Sequence, residues 1–107
     1  MTDATIEVEH GRDDTLRIAV AGEIDMDNST EAEHEILDAI SNQVTAVTLD
    51  LSGVDFIDSA GLRVLFTLGT RLETLQIALQ LLVPSESPIR RVIDLSGVAA
   101  AVPVLPS

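Results

Sequence analysis

Ser59 lies in the segment Asp58-Ser59-Ala60-Gly61-Leu62, between the apolar pair Phe56-Ile57 and a run of helix-spaced leucines. A serine at a helix start has two chemical uses. Its oxygen can accept a backbone N–H as a cap, contributing ~1 kcal/mol. Alternatively, its hydroxyl can carry a phosphate, which the unpaired N–H groups and positive dipole end of a helix tolerate without unfolding the element. Two acids bear on the second use: Asp58 is adjacent, and Asp25 closes the segment Gly22-Glu23-Ile24-Asp25 at the end of a predicted strand. Aspartates in such positions also cap loops. If they flank the seryl oxygen, a phosphate of charge about −2 costs on the order of 1 kcal/mol per pair at an intermediate dielectric. Such a charge would make the surface hostile to a partner matched to the unmodified form.

Other chemistry finds little support. Cysteine is absent, and the two histidines, His10 and His34, are far apart and fall on a first strand and an acidic helix face. Neither spacing suggests a metal pair or a nucleophile and base. The six glycines are scattered singly, without a phosphate-cradling loop. The expectation is a protein that is not an enzyme and needs no metal or cofactor.

The elements that position Ser59 follow from hydrophobic periodicity. Residues 4–9 and 15–22 alternate as two strands around the turn-forming 11–14 stretch. Asn28 or Ser29 is placed to cap a helix in which Ala32, Ile36, Leu37 and Ile40 recur at helical spacing while Glu31, Glu33, Glu35 and Asp38 face water. Val47, Leu49 and Leu51 form a third strand, which should end at Ser52-Gly53. A helix from 59 to about 74 should bury Leu62, Leu65, Phe66, Leu68 and Leu72, and 77–83 reads as a buried strand ended by Pro84. Ser87-Pro88 has the form of a helix start, Ile89, Val92 and Ile93 form its apolar stripe, and Gly97 its stop. A last edge strand is expected near 98–104. The alternating second half implies an α/β chain with crossover helices and at least partly parallel pairing. The near-repeat of Asp50-Leu-Ser-Gly-Val54 at Asp94-Leu-Ser-Gly-Val98 should close a strand in one copy and a helix in the other, and carries no sign of duplication.

Length and charge narrow the partners. The 107 residues suit one domain with one core. Eighteen acids against six arginines give a net charge of −12, which repels phosphate backbones and anionic membranes. A basic protein surface is the better match. With no apolar run near ~20 residues and no export signal, the chain is expected to be soluble and cytoplasmic.

Three segments carry a family resemblance: Gly22-Glu23-Ile24-Asp25, Leu51 through Leu62 (LSGVDFIDSAGL), and Ile89 through Val98 (IRRVIDLSGV). Together they resemble a STAS domain, and more closely the stand-alone bacterial anti-sigma factor antagonists. The resemblance implies a single domain over 1–107 with a mixed sheet of four to five strands and crossover helices on one side. It also implies a partner-switching cycle. The unphosphorylated antagonist would bind an anti-sigma factor of the GHKL kinase type and release a sigma factor; that kinase would phosphorylate Ser59, and a PP2C-like phosphatase would reverse it. Carried over residue by residue, Asp25 would help shape the contact surface or hydrogen-bond near the seryl oxygen, Asp58 would position the loop, and Gly61 and Leu62 would set the helix approach and its packing. Ala60 stands where many relatives have a second hydroxyl, leaving Ser59 the sole acceptor in the motif.

Two departures stand out. No glycine turn joins Leu75 to Ile77, and the chain leaves no room for most of the C-terminal helix usual in these relatives. The latter would open an edge blunted by Pro103 and Pro106, through which a homodimer could form. The competing readings are a non-switching STAS subunit of a lipid-transport or stress-sensing assembly and, more remotely, a hydrolase using Asp25 and His34.

Overall fold

The computed structural model describes residues 3–106. Among them the order is β1 (Ala4–His10), β2 (Thr15–Ile24), α1 (Ser29–Ala39), β3 (Ala46–Ile57), α2 (Ser59–Thr74), β4 (Ala78–Leu82), α3 (Arg90–Ser96), a 3-10 turn (Val98–Ala100) and β5 (Val104–Leu105). The strands lie side by side in sequence order. β1 and β2 are antiparallel; the β2–β3, β3–β4 and β4–β5 pairs are parallel, each joined by a crossover containing a helix. This is the α/β mixed sheet expected from the alternating pattern. No described helix is long and apolar enough to cross a membrane.

Alternation along the strands gives the sheet two different faces. Leu16, Ile18, Val20, Val47, Leu49, Leu51 and Leu81 are buried on one face, where they share a single cluster with Ile36 of α1, Leu65, Leu68 and Leu72 of α2, and Ile93 of α3. The opposite face is polar. There Arg17 of β2 pairs with Asp50 of β3, and Gln80 of β4 donates to the Thr48 hydroxyl at 2.9 Å. Asp50 also accepts from the Ser52 hydroxyl at 2.6 Å and the Ser52 N–H at 2.9 Å. Burial alone would raise the Asp50 carboxyl, but the two Ser52 donors and the Arg17 guanidinium outweigh it and hold its pKa below the ordinary 3.8.

Several boundaries differ from the sequence expectation. β3 does not end at Ser52-Gly53 but continues to Ile57, because the register against β2 shifts twice, between Ala19 and Ala21 and between Gly22 and Glu23. Gly53 thus marks a bulge rather than a turn. Phe66 is not buried with the leucines: the buried stripe of α2 runs through Gly61, Val64, Leu65, Leu68 and Leu72, and Phe66 falls on the solvent side. α3 starts at Arg90 rather than at Pro88, the Ser87 hydroxyl accepting from Ile89 N–H in the preceding turn at 3.3 Å. Gly97 does end it, at φ 87°. The segment 98–104 opens with the 3-10 turn Val98–Ala100, and only Val104–Leu105 pair with β4, between Pro103 and Pro106.

The missing glycine after α2 has a direct answer. Gln76 takes the left-handed conformation itself, at φ 60°. Its N–H bonds Glu73 O at 3.0 Å and Ile77 N–H bonds Leu72 O at 2.8 Å, the paired bonds of a Schellman cap. A left-handed non-glycine residue costs ~1–2 kcal/mol, against ~0.5–1 kcal/mol of extra backbone entropy that glycine loses on folding. Gln76→Gly is therefore expected to stabilise the domain by about 0.5–1 kcal/mol, raising the melting temperature by roughly 3–6 °C in calorimetry.

The depressed Asp50 pKa sets a second expectation. A carboxylate held below its unfolded value stabilises the fold above that value, and the contribution is lost as pH falls through the lower folded value. Asp50→Asn is expected to cost about 1–2 kcal/mol near neutrality. The difference from wild type should shrink in urea melts taken progressively below pH ~4.

Candidate functional site: the Asp58-Ser59 junction

Parallel pairing sends β2 and β3 out of the sheet on the same edge, with Ile24 opposite Ile57. The residues that follow, Asp25 and Asp58, thereby become neighbours although 33 positions separate them. Asp58 is half-buried with extended backbone (φ −110°, ψ −169°) and is the N-cap of α2. One carboxylate oxygen, Oδ1, accepts from Ala60 N–H at 2.9 Å and from Gly61 N–H at 3.1 Å. The other, Oδ2, accepts from Met26 N–H at 3.1 Å, tying the loop after β2 to the start of α2.

Asp25 is buried, and its Oδ1 accepts from Asp27 N–H at 2.9 Å. Asn28 precedes α1, but its side chain does not cap that helix. Its oxygen accepts from Asp25 N–H at 3.0 Å and its amide donates to Glu23 O at 2.8 Å, fixing the loop from 23 to 28. Asp25 thus holds the loop from within while Asp58 holds it from across the sheet edge.

Since Asp58 is the cap, Ser59 is the first helical residue and has no capping duty. It is exposed, and its hydroxyl has no hydrogen-bond partner among the described residues. Ala60 beside it is half-buried, and Leu62 packs partly against the core. Gly61 is buried where α2 crosses β2: a Cβ there would lie 2.5 Å from Ile57 Cγ1 and 2.8 Å from the Ile24 carbonyl oxygen. The motif therefore divides its work, with Asp58 capping, Gly61 permitting close approach, Leu62 packing, and Ser59 left facing solvent.

Sequence reasoning missed Met26 and the exposure of Phe56. Met26 is 77% exposed beside Asp58, and Phe56, two residues before it, is 48% exposed. An apolar pair leading into the motif reads as core, and only the second bulge, which shifts the register before Glu23 and Phe56, shows otherwise. His10 and His34, both exposed, lie on β1 and α1 away from this junction.

The STAS domain family model matches residues 6–107. The chain belongs to the STAS domain family. Among curated protein sequences none matches it significantly. Among solved structures, this STAS domain is similar to an anti-sigma factor antagonist from Mycobacterium paratuberculosis, with a TM-score of 0.84 and 28% identity over 98% of this chain and 87% of that one. It is also similar to the anti-sigma factor antagonist SpoIIAA in its unphosphorylated form, with a TM-score of 0.73 and 25% identity over 94% of this chain and 87% of that one. The murine anion transporter Slc26a9 shares the fold at a TM-score of 0.77 but only 15% identity, over 100% of this chain and 21% of the transporter.

Gly61→Ala separates close packing from helix propensity. Alanine should gain up to ~1 kcal/mol from propensity, but the rigid Ile24 carbonyl cannot yield, and overpacking of this kind costs ~1–3 kcal/mol. A net loss of about 1–2 kcal/mol is expected in urea unfolding.

Proposed function

We propose that this STAS domain is an anti-sigma factor antagonist switched by phosphorylation of Ser59. The observation that carries the reading is the free, exposed Ser59 hydroxyl at the first position of α2, left without structural duty by the Asp58 cap. A phosphate there would meet the positive end of a helix and would break no hydrogen bond. The similarity to two anti-sigma factor antagonists supports the same assignment.

In this reading the unmodified patch around Asp25, Met26, Phe56, Asp58, Ser59, Ala60, Gly61 and Leu62 binds an anti-sigma factor of the GHKL kinase type in the cytoplasm, releasing a sigma factor. The exposed Met26 and Phe56 side chains supply apolar contact, the half-buried Asp58 supplies charge matched to a basic surface, and the buried Asp25 shapes the loop beneath them. Phosphate transfer from the partner's ATP to Ser59 Oγ ends the complex, and a PP2C-like phosphatase restores the hydroxyl. The chain acts as ligand and substrate, with no catalytic group of its own.

The test is phosphopeptide mapping in cells together with pull-down of a histidine-kinase-like ATPase. A phosphopeptide containing Ser59 is expected. Ser59→Ala should retain the ATPase, and Ser59→Asp should weaken the complex about a hundredfold, a loss of ~3 kcal/mol. Equal binding by the two variants would reject the switch and favour a static subunit.

A further inference from the structure

α2, like α3 with its Arg90, Arg91 and Asp94, carries a net positive charge in this acidic chain. From Ser59 to Leu72 it contains no acid and two arginines, Arg63 and Arg71, and its one acid is Glu73 in the last turn. Arg63 is exposed, and among the described residues its guanidinium has no ion pair or hydrogen bond. It lies four residues after Ser59, so the two Cβ atoms are ~5–6 Å apart on one face of the helix. Helical side chains lean toward the N-terminus, which brings a long side chain at 63 back over the turn that begins at 59. An anion followed by a cation four residues later is also the favoured polarity for such a pair.

The acids around Ser59 cannot hold an anion. Asp58 is itself acidic, with both carboxylate oxygens occupied by backbone N–H groups, and Asp25 and Asp27 belong to the loop on the β2 side. They repel a phosphate away from the loop and toward the outer face of α2. Elsewhere Arg17 is engaged by Asp50, and Arg90 by Asp94 and the Val83 carbonyl. Arg71, twelve residues beyond Ser59, is ~18 Å along the helix axis, more than two Debye lengths at physiological salt.

We infer that Arg63 anchors a phosphate carried on Ser59, so that modification both adds negative charge and removes a free cation from the outer face of α2. This rests on the reading of Ser59 as the phosphorylated residue and gives the switch a second component. A partner docked on the unmodified face would meet Arg63 as an available donor. Once Ser59 is modified, the guanidinium is engaged within the helix, in the paired geometry that arginine makes with phosphate oxygens.

The test uses the full chain with phosphoserine installed at position 59 during translation, titrated between pH 4.5 and 8 by phosphorus NMR. A cation beside the phosphate favours its dianion and lowers the second pKa from about 6, while Asp25, Asp27 and Asp58 act in the opposite sense. Arg63→Gln is expected to raise the phosphate pKa by about 0.5 unit relative to the wild-type phosphoprotein, and Arg63→Lys to give an intermediate value. Arg71→Gln, which removes the same charge ~18 Å along the helix, should leave it within about 0.1 unit. If Arg63→Gln shifts the phosphate no more than this control, the anchor is rejected. Because the phosphate is installed independently of any kinase, that result falls on Arg63 alone. Absence of a Ser59 phosphopeptide in cells would instead reject the reading on which it rests.

Discussion

The Asp58 carboxylate is the joint on which the candidate site depends. With one oxygen it satisfies two otherwise unpaired N–H groups at the start of α2, and with the other it holds Met26 N–H in the loop after β2. Helix start and loop are thereby fixed to one another through a single side chain. The charge-assisted bonds also bring an acid close to the positive end of the helix, where it is electrostatically favoured. Ser59 follows as the next residue, positioned by its neighbour and committed to nothing itself.

That joint exists only because the strands beneath it run in parallel. Parallel pairing places the ends of β2 and β3 on one edge, and the two bulges in β3 let its twelve residues finish level with the ten of β2, Ile57 beside Ile24. Gly61 then allows α2 to descend onto the Ile24 carbonyl. A bulkier residue would lift the first turn away from the sheet and draw the Asp58 cap out of reach of Met26. The core contributes rigidity: the leucine stripe of α2 packs into the same cluster as the buried faces of β2 and β3, so the helix start has one orientation.

The sequence revealed most of this where local rules and tertiary structure agree. Alternation in β2 and the leucines of α2 were legible because burial on one face imposes a simple period. Gly97 was legible as a stop because its backbone is left-handed. The failures share a different cause. Ser52-Gly53 resembles a strand end, yet a glycine also suits a bulge, and only the partner strand decides between them. Phe66 has core chemistry but falls one residue outside the buried stripe, a phase that 3.6-residue geometry resolves only once the helix is docked. Gln76 could not be read as a cap because its left-handed backbone is imposed by the Ile77–Leu72 bond and the burial of Ile77 rather than by its own side chain. Met26 carries no local signal at all: its place in the site comes from a hydrogen bond to a residue 32 positions away.

The assignment of the cap to Asp58 bears on how a fold can host a switch. Had Ser59 been the cap, as serine at a helix start ordinarily is, a phosphate would have replaced a stabilising hydrogen bond, and modification would have been coupled to the integrity of α2. With the cap on the preceding residue, the two are separable: the helix keeps its end whether or not the hydroxyl is modified, and the change is confined to surface charge. The fold shared with an anion transporter shows that this architecture does not dictate one role. What argues for switching here is local, namely an acid that takes over the structural work and a neighbouring hydroxyl left free in solvent.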